Sequence, residues 1–361
     1  MKNFKKYVFG AAAILYAFFL VAFVKDVGEA VVNSIRSCLE VIIPSLYAFM
    51  VIAGFIVSTD LYAVLGKPFG IISRYVFRIP PEYFSIFLIS SIGGYPVGAK
   101  LLSSMYKENK IDRDTAENML SYCYLAGPAF ICSIAGVRLF SSVKTGLIIF
   151  ASVFGANIIL GFFKSLDKKI PSKSKIDVKV DISMERLIES VYSGAKGMMS
   201  ICAIIVFFSS IICILNKLNI LQNAARLISE FTYLNYSDSL ASVRAFIEIS
   251  NISSLTAGNY RLVPVAAALL SFGGICVTIQ TKGFVSGILS TKCFYFNRII
   301  SSIISYFLCK LFIVIFNVNS VYTVAPDISA YRQSSPIPSL FLLIMTILLL
   351  LNISMAKRKK L

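Results

Sequence analysis

Histidine is absent from this 361-residue chain. That absence removes the commonest general base and the commonest metal ligand, so Ser-His-Asp, HExxH and Cys-His arrangements are excluded. No Gly-x-Ser-x-Gly elbow occurs, and no two carboxylates are paired inside an apolar stretch. The chain therefore reads as a non-enzyme. GxxxxGK[ST] is also missing, which leaves passive or ion-coupled routes for any transport. No CxxC is present; the cysteines lie scattered at 38, 123, 132, 202, 213, 276, 293 and 309, mostly inside apolar runs. There they behave as small apolar residues, and neither a disulfide framework, a metal site nor a cofactor is expected. No polar stretch is long enough to bury a soluble core of its own.

What is abundant is apolar surface. Hydrophobic residues make up 57% of the chain, above the roughly 45–50% of a soluble domain, and the mean hydropathy is +0.79. The net charge is +17, from 35 Lys and Arg against 18 Asp and Glu. The cations sit at the ends of apolar runs and in short loops, as at Lys2, Lys5 and Lys6 and again at 357–360. That is the positive-inside pattern of a membrane protein. No basic face interleaved with aromatics forms a soluble module, so nucleic acid is not an expected partner.

Spans of the length a bilayer requires, about 20 residues, run along the whole chain. A basic start precedes an apolar run at 7–24. It is longer than a signal-peptide core and is followed by no A-x-A site, so a retained helix is expected over 1–26. Val27, Val31, Ile35 and Leu39 then form an amphipathic stripe leading into a span at 41–57. Residues 60–82 read as interfacial. Apolar segments follow at 83–105, 120–137 and 144–163. The loop 164–180 carries six lysines and divides the chain. The second half repeats the plan with an amphipathic entry, an apolar run at 198–215, a mixed stretch, and apolar segments at 245–257, 262–280 and 299–316. A sparsely charged loop and a last helix complete 318–361. The expected fold is an all-α polytopic membrane protein with about 8–10 hydrophobic segments. It would have two repeated lobes, 27–163 and 181–317, in parallel or inverted sense. The N-terminus, the 164–179 loop and the C-terminus should face the cytoplasm.

Four of the apolar segments are interrupted. Gly93, Gly94, Tyr95 and Pro96 break the first, and Gly127-Pro128 the second. In the second half, Glu248, Ser250 and Asn251 stud one segment and Gly273-Gly274 break another, followed by Thr278 and Gln280. Ser-Ile-Gly-Gly-Tyr-Pro-Val at 91–97 and Ser-Phe-Gly-Gly-Ile-Cys-Val at 271–277 share a pattern and suggest comparable places in the two halves. Gly and Pro weaken a helical ladder by about 1 and 3 kcal/mol. Backbone freed in hydrocarbon survives only where protein or a wet cavity solvates it. Paired interruptions of this kind mark the binding site of many transporters. For a single Gly-Gly pair, close helix packing is the better reading; for four interruptions placed in pairs across two halves, a functional cavity is. Glu248 would bind a proton, a sodium ion or a ligand hydroxyl; alternatively it pairs with Arg244 one turn earlier. Asn251, Ser250 and Ser253 would coordinate a ligand or join helices. Lys100 would snorkel beside Lys107 and Lys110, and Asn157 would bond a neighbouring helix.

The runs Ser91-Ile-Gly-Gly-Tyr-Pro-Val-Gly-Ala-Lys100, Tyr124-Leu-Ala-Gly-Pro-Ala-Phe130, Glu248-Ile-Ser-Asn251 and 271–280, with the entry Ile42-Ile-Pro-Ser-Leu46, resemble the sporulation integral membrane protein YlbJ family. The resemblance covers residues 30–315. It implies nucleoside-recognition (Gate) domains and a multi-pass protein in the mother-cell membrane of a sporulating bacterium, acting in spore coat or cortex maturation. Cys276 and Val277 in the second motif leave the ligand undefined. Two functions follow as expectations. One is a transporter-like protein binding or moving a small polar solute, alone or with a coupling ion. The other is a membrane scaffold for spore-envelope assembly. The partners are the lipid bilayer and that solute; an apolar lobe face would also serve a homo-dimer.

Overall fold

The computed structural model describes residues 2–169 and 180–317. The expected last span, the 317–337 loop beyond its first residue, the basic tail and most of the 164–179 loop lie outside the described residues. Among the described residues the regular structure is entirely helical. Five helices are long and apolar enough to cross a bilayer: Val24–Ser58, Val143–Ser165, Met184–Lys217, Tyr260–Val285 and Lys292–Ile315. The protein is an all-α polytopic membrane protein. Its outer faces match that solvent: Ile299, Ile303, Phe307, Leu311 and Val314 are all exposed along one side of the last described helix. The first helix, Lys2–Ala22, has a shorter apolar run, Lys6–Ala22.

Helix Val24–Ser37 widens into a π turn at Cys38–Ile42 before continuing as Ile43–Ser58. Pro44 has no N–H to return to the carbonyl four residues back, so the helical ladder is open at this point. The apolar stripe expected on Val27, Val31, Ile35 and Leu39 does not all face inward. Val27, Ser34 and Cys38 are buried, whereas Ile35 and Leu39 are exposed. In lipid the apolar side chains face the solvent, and small or polar ones mediate helix packing.

Contacts between loops define two ends of the bundle. At one, Lys110 pairs with Asp60 at 2.6 Å, the Tyr83 hydroxyl donates to the Lys110 carbonyl at 2.8 Å, and Arg78 donates to the Leu166 carbonyl at 2.5 Å. At the other, the Gly258 amide donates to the Leu139 carbonyl at 2.9 Å and Lys144 donates to the Phe316 carbonyl at 2.9 Å.

Two hairpins enter from opposite ends. Helices Pro81–Gly93 and Val97–Lys107 turn around Gly94-Tyr95-Pro96 and come back to the Lys110 end, where Tyr83 meets Lys110. Helix Tyr236–Ile247 stops at Glu248, and the 3-10 segment Ile249–Ser254 returns to the Leu139 end. There the Asp238 carboxylate accepts the Thr256 amide at 2.8 Å. Two broken spans run between the ends. One is helix Arg113–Leu120, an unwound stretch 121–127 and helix Pro128–Leu139. The other is Tyr260–Val285, interrupted at Gly273-Gly274.

The two Gly-Gly motifs differ in local geometry. Gly93-Gly94 form a hairpin tip and Gly273-Gly274 a kink in a through-going span. The shared seven-residue pattern occupies a hairpin tip at 91–97 and a kinked span at 271–277.

Candidate functional site

The four interruptions meet. Gly94 has φ +74°, and a Cβ there would lie 2.8 Å from the Gly127 nitrogen. Only two glycines allow the hairpin tip and the first broken span to touch through bare backbone. Gly274, with φ +79°, sits against the second hairpin: a Cβ would come within 3.2 Å of the Ala245 carbonyl and 3.3 Å of the Ile249 nitrogen. Gly273, φ +85°, faces Tyr124 in the unwound stretch of the first broken span. Tyr124 in turn stacks on Tyr95, ring centroids 5.0 Å apart.

Between them lies a cavity of about 30 Å³ lined by Tyr95, Gly127, Glu248, Ser250, Gln280 and apolar neighbours including Leu46, Phe130 and Ile201. A water needs roughly 10–15 Å³ on this measure, so the space suits one or two waters or a small ion. A recess of about 450 Å³ adjoins it on one side, sharing Ile42, Ile205, Glu248 and Ser250 and adding Asp26, Glu29, Asn216, Lys217, Arg244 and Asn251. A third recess of about 320 Å³ holds Lys100, Lys107 and Lys196. Helix Met184–Lys217 touches all three: residues 193–200 line the basic recess, 201 and 205 the central cavity, and 205–217 the mixed one. Along this helix the central cavity lies between two larger recesses, and it shares lining residues with the mixed one.

Glu248 is 4% exposed. Its carboxylate accepts the Ser250 amide at 3.1 Å and the Asn251 side-chain amide at 3.0 Å, and the Ser250 hydroxyl donates to it as well. The pairing with Arg244 is not formed. The Glu248 amide still donates to the Arg244 carbonyl at 2.9 Å, but helix Tyr236–Ile247 ends one residue earlier and Glu248 is extended, φ −139° and ψ 114°, with its side chain turned to Ser250 and Asn251. Arg244 instead donates to the Asn216 side chain at 3.1 Å. Asn251 and Ser250 serve Glu248, and Ser253 donates to the Ser250 carbonyl.

Of the other expected residues, Gly93, Pro96 and Pro128 shape the breaks without lining the cavity. Thr278 lies off it and donates to the Gly274 carbonyl at 2.9 Å. Gln280 is buried, lines it and bonds Cys276. Lys100 shares a recess with Lys107 but not with Lys110, and donates to the Ser193 carbonyl at 2.8 Å. Asn157 does bond a neighbouring helix, accepting from Arg298 at 3.3 Å.

Arg298 is a residue the sequence reading missed. It is 1% exposed and donates to the carbonyls of Tyr124, at 2.8 Å, and Ser121. Its neighbour Asn297 donates to the Ser121 hydroxyl at 2.8 Å. A cation therefore takes up backbone acceptors that unwinding at 121–127 exposes.

No protein-family profile matches the chain. Over 297 aligned residues it is 22% identical to the sporulation integral membrane protein YlbJ of Bacillus subtilis (strain 168), covering 73% of this chain and 72% of that protein. The chain is a distant relative of a sporulation integral membrane protein. This similarity supports the family to which its motifs point. No solved structure matches.

Proposed function

We propose that the protein acts in sporulation as a multi-pass membrane protein that binds and moves a small polar solute through the cavity beside Glu248, by passive or ion-coupled transport. The observation that carries this reading is the meeting of four chain breaks around one buried carboxylate, with a larger recess on each side. Irregular backbone inside a membrane is tolerated where it lines such a cavity, and binding at the junction of broken helices is the transporter pattern. The two lobes, 27–163 and 181–317, are read as inverted repeats. Each has a long entry helix, an interfacial stretch, a hairpin, a broken span and a closing helix, and the hairpins enter from opposite ends. The Lys110 end is assigned to the cytoplasm, together with the N-terminus, the 164–179 loop and the C-terminus. Rocking one lobe against the other would open the cavity to each recess in turn.

The test is complementation of a sporulating host that lacks its YlbJ relative. The chain should restore heat-resistant spores, whereas the double variant Glu248→Ala, Asn251→Ala should not, at equal membrane abundance. Normal sporulation by that variant would refute the solute-site reading and favour a scaffold.

A further inference from the structure

The closing helices of the two halves, Val143–Ser165 and Lys292–Ile315, pack against each other. They run in opposite senses, since Lys144 near the start of one donates to the Phe316 carbonyl just past the end of the other. Midway they close up: a Cβ on Gly155 would come within 3.2 Å of the Leu308 side chain. Toward the Lys110 end they part around a groove of about 560 Å³. Its walls are apolar, with Leu160 and Phe163 from one helix and Phe296, Ile300 and Ile304 from the other. From Phe296 to Ile304 the wall runs about 12 Å along the helix. Phe163 and Phe296 are exposed at its rim, so the groove opens outward to the bilayer. Lys164 and Lys168 lie where helix Val143–Ser165 ends, beside Asn118. The turn that carries Lys168 is fixed. Arg78 donates to the carbonyls of Leu166 and Lys168, at 2.5 and 2.8 Å, and the Ser165 hydroxyl donates to the Val76 carbonyl at 2.8 Å. Both lysines are half-buried. Among the described residues neither is ion-paired, and Asp167, the one carboxylate in the lining, pairs with neither. Burial lowers the pKa of the Lys168 ammonium, with the charges of Asp112 and Asp114 opposing. A partly desolvated cation without a counter-ion is costly.

We infer that this groove holds one anionic phospholipid, its phosphate between Lys164 and Lys168 and an acyl chain along Leu160, Ile300 and Ile304. Basic pockets between membrane helices recognise anionic headgroups in this way. A zwitterionic lipid brings a cation of its own, which the two lysines disfavour. An apolar side chain from a second copy would fill the wall but leave both lysines without a counter-ion. The groove also reaches Asn297, whose amide donates to the Ser121 hydroxyl at 2.8 Å. The next residue, Arg298, holds the carbonyls of Ser121 and Tyr124. The lipid thus packs against a residue that anchors the unwound stretch 121–127. The lipid site stands whether or not Glu248 binds a solute.

The experiment is native mass spectrometry of the purified full-length protein. Phosphatidylglycerol and phosphatidylcholine with identical acyl chains are supplied in equal amounts. Wild type should retain one phosphatidylglycerol per chain in preference to phosphatidylcholine. The double variant Lys164→Gln, Lys168→Gln should lower that preference about tenfold at low salt. The double variant Lys67→Gln, Lys282→Gln, which removes two exposed lysines outside the groove, should leave it unchanged. Ile304→Phe, with more bulk in the apolar wall and both charges intact, should reduce retention of either lipid. Glycerol 1-phosphate, a phosphate ester without acyl chains, should not displace the lipid. Equal retention of the two lipids by wild type, an unchanged preference in the Lys164, Lys168 variant, or displacement by glycerol 1-phosphate would overturn the inference. So would a dimer from which lipid is excluded, since a second copy would then occupy the groove. The wild-type comparison and the glycerol 1-phosphate competition need no variant and stand even if one fails to fold.

Discussion

Arg298 lies over the ring of Tyr124, its guanidinium carbon 4.8 Å from the ring centroid, and donates to the Tyr124 carbonyl on the same residue. One side chain thus holds both the backbone and the ring of the residue at the centre of the unwound stretch. Because Tyr124 stacks on Tyr95 and fills the space beside Gly273, Arg298 reaches two further breaks through it. Replacing it with Met leaves the Ser121 and Tyr124 carbonyls without their donor in a dry interior. The expected cost is about 3 kcal/mol, since hydrogen bonds to charged groups are worth about 1.5–3 kcal/mol each and buried orphans cost at least as much. Arg298→Lys, with a point charge in place of a planar fork, should recover only part. Urea titration in detergent reads the difference; a midpoint unchanged by Arg298→Met would show that the clamp carries no stability.

Gly273→Ala should be damaging for two separable reasons. The backbone at φ +85° strains any side chain, and the new Cβ would lie within 2.9 Å of the Tyr124 ring as well as overlapping its hydroxyl. The strain is about 1–2 kcal/mol, with the clash in addition. Adding Tyr124→Leu should relieve the clash while giving up the ring's contacts with Arg298 and Tyr95, and so return only part of the loss. Gly283→Ala on the same helix meets nothing within 4 Å and should be neutral or stabilising by up to about 1 kcal/mol. Thermal midpoints of the three variants rank the effects.

The breaks were legible because Gly, Pro and buried polar residues announce themselves within a few positions. Glu248 and Asn251 stand out as polar residues in an apolar run, and they do lie together. The geometry between distant breaks was not legible. Arg298 reads as the flank of a span beginning at Ile299, whereas its partners Ser121 and Tyr124 are over 170 positions away. The Glu248–Arg244 spacing suggested a helical pair because nothing in the sequence says that the helix stops at Ile247. The repeated Ser-x-Gly-Gly pattern likewise does not distinguish the hairpin tip at Gly94 from the kinked span at Gly273. Local composition shows that a chain breaks, but not whether it turns back or continues.

The two ends of the bundle carry native cysteines that test which end faces the cytoplasm. Cys213 lines the mixed recess near Lys217, and Cys293 is exposed at the start of Lys292–Ile315, toward the Lys110 end. That placement follows from the bond between the Ser290 amide and Glu117, 2.8 Å long, just beyond the first hairpin. With the Lys110 end cytoplasmic, a membrane-impermeant maleimide should label Cys213 in intact protoplasts and Cys293 only in inverted vesicles. Mass spectrometry of the tryptic peptides assigns each site without altering the chain. Cys276 and Cys309 are fully buried and should stay unlabelled in both, so they report that the fold is intact during the reaction. The reverse pattern at Cys213 and Cys293 would invert the whole topology. It would place the basic recess with Lys100 and Lys196 outside, against the distribution of lysine that sets orientation in a bilayer.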